Sequence, residues 1–523
     1  MQVRKRLAGD AVRGYSGGMN TNSDQHAEAG AGPGLPLDRE TCFRAYETRD
    51  ERFDGRFFVA VRTTGIFCRP VCPARTPKRQ NVEFHASASS AFASGFRPCL
   101  RCRPEQAPRS GHGTSPGALL VTRALAAIDA GALDDDSLDA LSERIGVTGR
   151  HLRRLFETHL GTTPVAVAQT RRLMFARQLI EETPLPLTQV AFAAGFASVR
   201  RFNSAMALAY GKAPGALRRP GKMREVNADG DAQVSLRLGK LGEPEFIALT
   251  GFYRARAFAG VERAETSRYA RTICIGAHSG SFTVRMAGAE LRLDSAFPDN
   301  SRLPMIVARA KRMFDLEAPL LAISAHLRTD PLLRPALVRG APRVPCAWDP
   351  YELALRAVLG QQVSVAAATT LAARLVERFG EPLAGAKAGL RLLFPQAAAI
   401  AAAQATDLTA LGIVRARAAC LIALAGHIAA TPGWRERYLG LEAFAASMQE
   451  LPGIGPWTAQ YVAMRGFGDP DAFPAADLGL LRAARLLGLA QTPRELASHA
   501  ERWRPWRAYA AQALWNYEPG DAA

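Results

Sequence analysis

The sequence predicts a multidomain α+β chain of four folded units in series. They are a small cysteine-centred α/β module, an all-α tandem helix-turn-helix unit, a small antiparallel-sheet α+β domain and an all-α core built on a helix-hairpin-helix. Three observations lead there. At 523 residues the chain exceeds what one hydrophobic core organises. A helix-turn-helix pattern occurs twice, its closing segments Leu160-Gly161-Thr162-Thr163-Pro164 and Tyr210-Gly211-Lys212-Ala213-Pro214 standing fifty positions apart. Strand-like alternation after about residue 233 then gives way to an alanine-rich, helix-patterned stretch from about Val344. The expected units are 37–108, 115–219, 233–343 and 344–520. Residues 1–36 are rich in Gly, Ala, Asn and Ser and are expected to be disordered, with Met19 a second candidate start. Pro104 to Gly117 reads as a linker and Pro220 to Gln233 as a hinge.

Charge narrows the partner. Sixty-six Lys and Arg against 48 Asp and Glu leave +18, which favours a polyanion, with nucleic acid first. No apolar run is long enough to span a bilayer and there is no signal-peptide core, so membrane and secreted classes are set aside and a cytoplasmic protein is expected. Eight cysteines are present. Cys42, Cys274, Cys346 and Cys420 are scattered, which fits a reducing compartment better than a disulfide framework.

The other four cysteines form a pattern. Phe57 to Val61 reads as a buried strand, followed by Thr63-Thr64-Gly65-Ile66-Phe67-Cys68-Arg69-Pro70-Val71-Cys72 and later by Phe96-Arg97-Pro98-Cys99-Leu100-Arg101-Cys102. Cys-x3-Cys with Cys-x2-Cys gathers four thiolates around one tetrahedral Zn²⁺, so Cys68, Cys72, Cys99 and Cys102 are the predicted ligands of a zinc-bound module. A structural staple is the commoner use of such a site. Arg69, Arg75, Lys78, Arg79, Arg97, Arg101 and Arg103 crowd around it and suit phosphate.

In the duplicated unit each turn glycine is followed by a polar helix starter, Thr148 or Ser198. The helices they open carry Arg150, His151, Arg153 and Arg154 in the first copy and Arg200, Arg201 and Asn203 in the second. Helices so arranged enter successive major grooves, and two on one chain let a monomer span two half-sites. The plainer alternative is a bundle for protein contacts.

Farther on, Thr272 to Ile275, Phe282 to Met286 and Leu291 to Leu293 alternate as antiparallel strands, with helical patterns at Ile306 to Phe314 and Leu320 to Leu327. Tyr351 to Leu359 and Val363 to Phe379 read as helices broken at Gly360-Gln361-Gln362. Leu451-Pro452-Gly453-Ile454-Gly455 makes a tight turn between helices whose free amides suit phosphate. The next helix sets Trp457, Tyr461 and Met464 on one face, ordinarily a core stripe. Asp477 is a lone carboxylate, with none after it until Glu495, and could simply cap the helix beginning at Leu478.

Three resemblances attach to these residues. The stretches TTGIFCRPVCPAR and GFRPCLRC resemble the amino-terminal domain of Ada-like methylated-DNA sensors. That resemblance implies that Cys68 takes a methyl group from a methylphosphotriester, a stoichiometric event that removes one negative charge and tightens DNA binding. The duplicated unit resembles AraC-type DNA-binding domains, with RNA polymerase a candidate partner. From about Val234 to the C-terminus the chain resembles the 3-methyladenine DNA glycosylase II family. This implies a monofunctional enzyme with catalytic Asp477, a base pocket of Trp457, Tyr461, Trp515 and Phe252, hairpin glycines Gly453 and Gly455 on the DNA backbone, and Gln362 where relatives insert an apolar side chain into the duplex. Trp457 stands where bifunctional relatives place a Schiff-base lysine, which speaks against β-lyase action. The last cysteine, Cys420, is too early for a C-terminal iron–sulfur cluster. Pro345-Cys346 is followed by Ala347-Trp348 rather than His-Arg, which speaks against O6-alkylguanine repair. Leu478 replaces an aromatic after the aspartate and thins one pocket wall. The implied function is bacterial alkylation repair and response, a methyl-sensing regulator fused to an alkylpurine glycosylase. The alternative is a regulator whose C-terminal half only binds damaged DNA.

Overall fold

The computed structural model describes residues 34–35, 37–108, 115–218, 234–387 and 389–518. Most of the expected disordered tail and the hinge at 220–233 lie outside the described residues, whereas Leu35 and Leu37 already pack on the first core.

In the cysteine module, Asp38 caps the helix Arg39–Glu47, whose Cys42, Phe43 and Tyr46 pack against Phe57, Val59 and Phe84. Strand β1 (Phe58–Val61) is buried throughout. It pairs with β2 (Ile66–Cys68) and β3 (Val82–His85), and β4 (Arg97–Pro98) completes the order β3-β1-β2-β4. The β2–β4 pairing is parallel, with Phe67 opposite Pro98, so both strands end by delivering a cysteine, Cys68 or Cys99, to the same edge.

The duplicated helix-turn-helix unit repeats as expected. Helices Leu138–Ile145 and Gly149–Leu160 form the first helix-turn-helix, and Leu187–Ala193 with Val199–Tyr210 the second. Gly146 and Gly195 turn in the left-handed region at φ 84° and 87°. At Gly195 a Cβ would lie 2.3 Å from the Asp134 side chain, so a larger residue would have to displace the carboxylate that Arg171 and Arg172 hold. Thr148 and Ser198 cap the recognition helices through their side chains. A bridging helix, Pro164–Glu182, joins the repeats. Its buried Arg177 reaches the carbonyls of Cys99 and Leu100 and pairs with Glu181 at 3.0 Å. Arg103 of the cysteine module pairs with Glu181 and Glu182, and Glu182 also holds Arg237 of the next domain at 2.8 Å.

The sheet domain has strands β5 (Val234–Lys240), β6 (Glu262–Ala264), β7 (Arg268–Ile275), β8 (His278–Ala287) and β9 (Glu290–Ala296) in the antiparallel order β5-β9-β8-β7-β6. Helices Glu243–Arg254 and Leu303–Met313 cover one face. One hydrophobic cluster runs from Leu179 and Phe202 of the regulator to Leu236, Phe246 and Phe314 of this domain.

Asp315 closes the seam to the helical core, accepting from Val344 N–H and the Tyr509 hydroxyl. Burial pushes its carboxyl up to about 7 from 3.8. The folded chain therefore keeps a proton that the unfolded chain releases, and this stabilisation is full below 3.8 and lost as the pH rises through 7. The change is on the order of 4 kcal/mol. Melting at about pH 5 and about pH 8 is expected to show a larger loss in the wild type than in Asp315→Asn, and equal losses would remove Asp315 as the source.

The core packs helices Pro350–Leu359, Val365–Phe379, Arg415–Ala430, Leu441–Gln449, Pro456–Val462, Leu478–Leu486 and Arg507–Trp515 around a single hydrophobic cluster. One addition to the helical pattern is a short hairpin of Pro382–Lys387 and Leu390–Leu392, which bonds to the sheet domain through Gly260 O and the Thr272 hydroxyl.

Candidate active site and metal centre

The four sulfurs of Cys68, Cys72, Cys99 and Cys102 lie within 4.8 Å of one another, and all four residues are buried. That spacing fits one tetrahedral Zn²⁺ with Zn–S bonds of about 2.3 Å. Backbone amides donate to two of the sulfurs. Arg69 N–H donates to Cys102 Sγ at 3.3 Å and Arg101 N–H to Cys99 Sγ at 3.4 Å. Among the described residues no backbone N–H is hydrogen-bonded to the sulfur of Cys68 or of Cys72. Of the surrounding cations, Arg69 turns inward to Asp54 and Cys102 O, and Arg103 to the bridging helix. Arg75, Lys78, Arg97 and Arg101 remain exposed.

Arg150, Arg153, Arg154, Arg200, Arg201 and Asn203 are all exposed on the two recognition helices, and His151 is half-buried beside Arg154.

The second centre forms where the hairpin helix meets the start of Leu478–Leu486 and the end of Arg507–Trp515. Gly453, at φ 84°, has the left-handed backbone that favours glycine, and a Cβ there would stand 3.1 Å from the Cys420 side chain, which would have to give by a few tenths of an ångström. Gly455 is an extended N-cap facing open space. Asp477 caps the helix Leu478–Leu486, accepting from Gly479 N and Leu480 N through Oδ1. It also accepts Trp515 Nε1–H on Oδ1 at 2.8 Å and Trp457 Nε1–H on Oδ2 at 2.9 Å. The capping role and the site role are therefore one arrangement. Oδ1 is saturated by three donors, while Oδ2 keeps a lone pair for a reacting group.

Trp457 stacks on Tyr461 at 5.1 Å, and Trp515 stands edge-on to Tyr461. Met464 departs from the expected stripe. The turn Ala463–Phe467 is π-helical, and Met464 is fully buried in the core. Arg465 takes the position beside the rings, its guanidinium lying against Phe252, Tyr461 and Trp515. Sequence reasoning missed it. The signal was the spacing of four that links Trp457, Tyr461 and Arg465 on one helix face.

Phe252 is brought to Tyr461, but the cavity they share is only about 30 Å³, too small for a purine. Below it lies an ion cluster of Glu262, Arg271, Glu352 and Arg356. Burial pushes Glu352 up to about 7 despite Arg271, whereas Arg356 and Arg271 overcome burial and hold Glu262 below its usual value.

Gln362 lies exposed at the tip between two helices with φ 56°, a left-handed conformation uncommon outside glycine. Its neighbour Gln361, not foreseen, ties this tip to the hairpin by donating to Gly453 O and the Thr458 hydroxyl. Leu478 does not wall the pocket. It is 83% exposed beside Asp477.

At Gly479 a Cβ would stand 3.1 Å from Asp477 Oδ1 and 3.2 Å from Trp515 Cδ1. Gly479→Ala is expected to slow base release about tenfold by displacing that carboxylate, although alanine alone would strengthen the helix by roughly 1 kcal/mol. Unchanged single-turnover rates would show that the site has more slack than these distances allow.

Comparison with known proteins follows this division. Residues 41–105 match the metal binding domain of Ada, 141–220 a helix-turn-helix domain, 235–349 the AlkA N-terminal domain and 355–508 the HhH-GPD superfamily of base excision DNA repair proteins. A Mycobacterium tuberculosis protein named "probable bifunctional transcriptional activator/DNA repair enzyme AlkA" is 41% identical over 482 residues, 92% of this chain and 96% of that protein. The chain belongs to that bifunctional AlkA family. Within the family's two halves, DNA-3-methyladenine glycosylase 2 of Escherichia coli is 34% identical over 281 residues, 52% of this chain and 95% of the relative. The bifunctional transcriptional activator/DNA repair enzyme Ada of the same organism is 44% identical over 133 residues, 25% of this chain and 35% of the relative. A solved 3-methyladenine DNA glycosylase from Archaeoglobus fulgidus covers 54% of this chain and 97% of its own, at 22% identity and a TM-score of 0.48.

Proposed function

We propose that this chain excises alkylated purines such as 3-methyladenine from duplex DNA by hydrolysing the N-glycosidic bond, and that its front half senses methylphosphotriesters and regulates transcription. The observation that carries the first part is the Asp477 carboxylate held by two indole N–H groups beside Tyr461. A flipped nucleotide would place C1′ near Oδ2, where a fixed negative charge stabilises the sugar oxocarbenium and orients water. The position of Gln362 supports a role in filling the gap left by the flipped base, with its amide bonding the orphaned partner. Trp457 occupies the place a Schiff-base lysine would need, so the abasic strand is left uncleaved.

In the sensor, Cys68, Cys72, Cys99 and Cys102 would hold Zn²⁺, which when bound would keep their thiolates ionised at neutral pH. Cys68 sulfur attacks the methyl carbon, the carbon–oxygen bond breaks with its electron pair going to the phosphate oxygen, and a thioether and an ordinary phosphodiester result. Loss of one negative charge strengthens phosphate contact by Arg75, Lys78, Arg97 and Arg101, and the recognition helices seat in neighbouring major grooves as a monomer, next to RNA polymerase.

The test is release of free base from DNA containing 3-methyladenine, with the strand analysed for breaks. Base release without cleavage supports the reading. No release from any alkylated duplex would leave a regulator whose C-terminal half only binds damage.

A further inference from the structure

We infer that the two recognition helices read half-sites of different chemistry, the first G·C pairs and the second A·T pairs, with Leu208 seated on a thymine methyl group. This rests on the reading of the front half as a DNA-binding regulator. The helices Gly149–Leu160 and Val199–Tyr210 are each 12 residues long, and they share caps at both ends, Thr148 with Gly161 and Ser198 with Gly211. Each residue of the first helix therefore has a counterpart fifty positions later in the second. The inward faces agree: Leu152, Phe156 and Leu160 are buried, and so are Phe202, Met206 and Tyr210. The outward faces do not. Arg150 is matched by Arg200, but Arg153, Arg154, Glu157 and Thr158 are replaced by Asn203, Ser204, Ala207 and Leu208, and all of these are exposed. An ionic face has become a neutral one with an apolar end.

In the major groove guanine offers two acceptors to an arginine fork, and cytosine offers an amine to a carboxylate. Arg153 and Arg154 with Glu157 therefore suit G·C pairs. Adenine offers a donor beside an acceptor, which an asparagine carboxamide meets at both atoms, and thymine carries a methyl group. Asn203 suits the first and Leu208 the second. Leu208 is 82% exposed, and it shares with Ser198, Arg200, Arg201, Ser204 and Ala205 an open concavity of about 490 Å³. Arg200, Ser204 and Leu208 follow one another at spacings of four, which keeps them on one face. Eight residues of helix carry Leu208 about 12 Å past Arg200, a step of about three base pairs along the groove. Arg200 and Arg201 draw in a polyanion, and Leu208 then covers a methyl group that cytosine lacks. An apolar end on a cationic helix face fits duplex DNA better than it fits a protein groove.

The full chain is used to select duplexes from a randomised library. Binding is then remeasured on the recovered sequence with each thymine replaced in turn by deoxyuridine, which lacks only the methyl group. The recovered site is expected to be asymmetric, with G·C pairs read in one half and A·T pairs in the other. Replacing one thymine of the A·T half is expected to weaken wild-type binding about fourfold. Leu208→Ala is expected to bind the two forms alike and to keep the wild-type melting temperature, whereas Thr158→Ala, the counterpart in the first helix, keeps the fourfold difference. Two identical half-sites, or no thymine whose replacement depends on Leu208, overturns the inference. A Leu208→Ala protein that binds every duplex as the wild type does but no longer activates transcription would make Leu208 a protein contact, which overturns it too. If no sequence is enriched over bulk DNA, the regulator reading itself fails and the inference falls with it.

Discussion

Asp477→Asn is expected to slow single-turnover release of 3-methyladenine by at least about a thousandfold, on the order of 4 kcal/mol in the barrier, with little change in melting temperature. Asparagine caps a helix as well as aspartate does, so Gly479 N–H and Leu480 N–H keep their acceptor. What disappears is the negative charge. One indole also loses out, because the amide nitrogen faces the Trp457 Nε1–H that bonded Oδ2. Trp457→Phe separates the two effects, since it deletes that donor and leaves the carboxylate. It is expected to cost no more than about tenfold. If both variants fell equally, the lost indole bond rather than the lost charge would explain Asp477→Asn.

Cys68→Ser is expected to abolish methyl transfer from methylphosphotriester DNA while the remaining three thiolates keep zinc bound. Cys99 and Cys102 each accept a backbone N–H at sulfur, and an amide donor withdraws the electron density an attacking sulfur needs. Cys68 and Cys72 have no such donor among the described residues, and between these two the choice of Cys68 rests on the resemblance of its flanking residues to Ada-like sensors. Access alone does not single out Cys68, which is 5% exposed against 8% for Cys99 and Cys102. Intact-mass and peptide mapping after exposure to methylated DNA decides the matter. A methyl on Cys72, Cys99 or Cys102 in the wild type would defeat the assignment, and loss of zinc from Cys68→Ser would show that the staple needs all four ligands. Stripping zinc with a chelator is expected to unfold the module, because β2 and β4 meet where the ligands do.

What could be read from the sequence was whatever is local. Four cysteines at ligand spacing, a turn glycine followed by a capping hydroxyl, and a glycine hairpin before an aromatic helix each occupy one short window, and backbone chemistry alone gives them meaning. Gly453 shows both sides, since its left-handed φ follows from the turn, whereas its contact with Cys420 of the helix Arg415–Ala430 comes only with the fold. Arg465 escaped because Met464, three positions after Tyr461, was read into the face in place of Arg465 at four, and the other rings that Arg465 meets, Phe252 and Trp515, come from distant parts of the chain. Arg69 and Arg103 looked like phosphate ligands because a basic residue near a cysteine cluster reads the same whether it faces DNA or a carboxylate. Asp54 is 15 positions from Arg69, and Glu181 is 78 from Arg103. Only the fold brings those partners together. Leu478, whose place after the aspartate implied a thinner pocket wall, is 83% exposed.

The bridging helix Pro164–Glu182 acts as a ruler. Arg177, Glu181 and Glu182 face the cysteine module, and Gln178 and Glu182 reach Arg237 at the start of the glycosylase half. Each residue added to an α-helix advances it 1.5 Å and turns it by about 100°. One extra residue upstream of Arg177 would swing all these contacts away from the helix-turn-helix pair at once. The spacing between the two recognition helices and the seating of sensor and enzyme are thus a single dimension of the molecule, which natural length variation in this helix cannot alter separately.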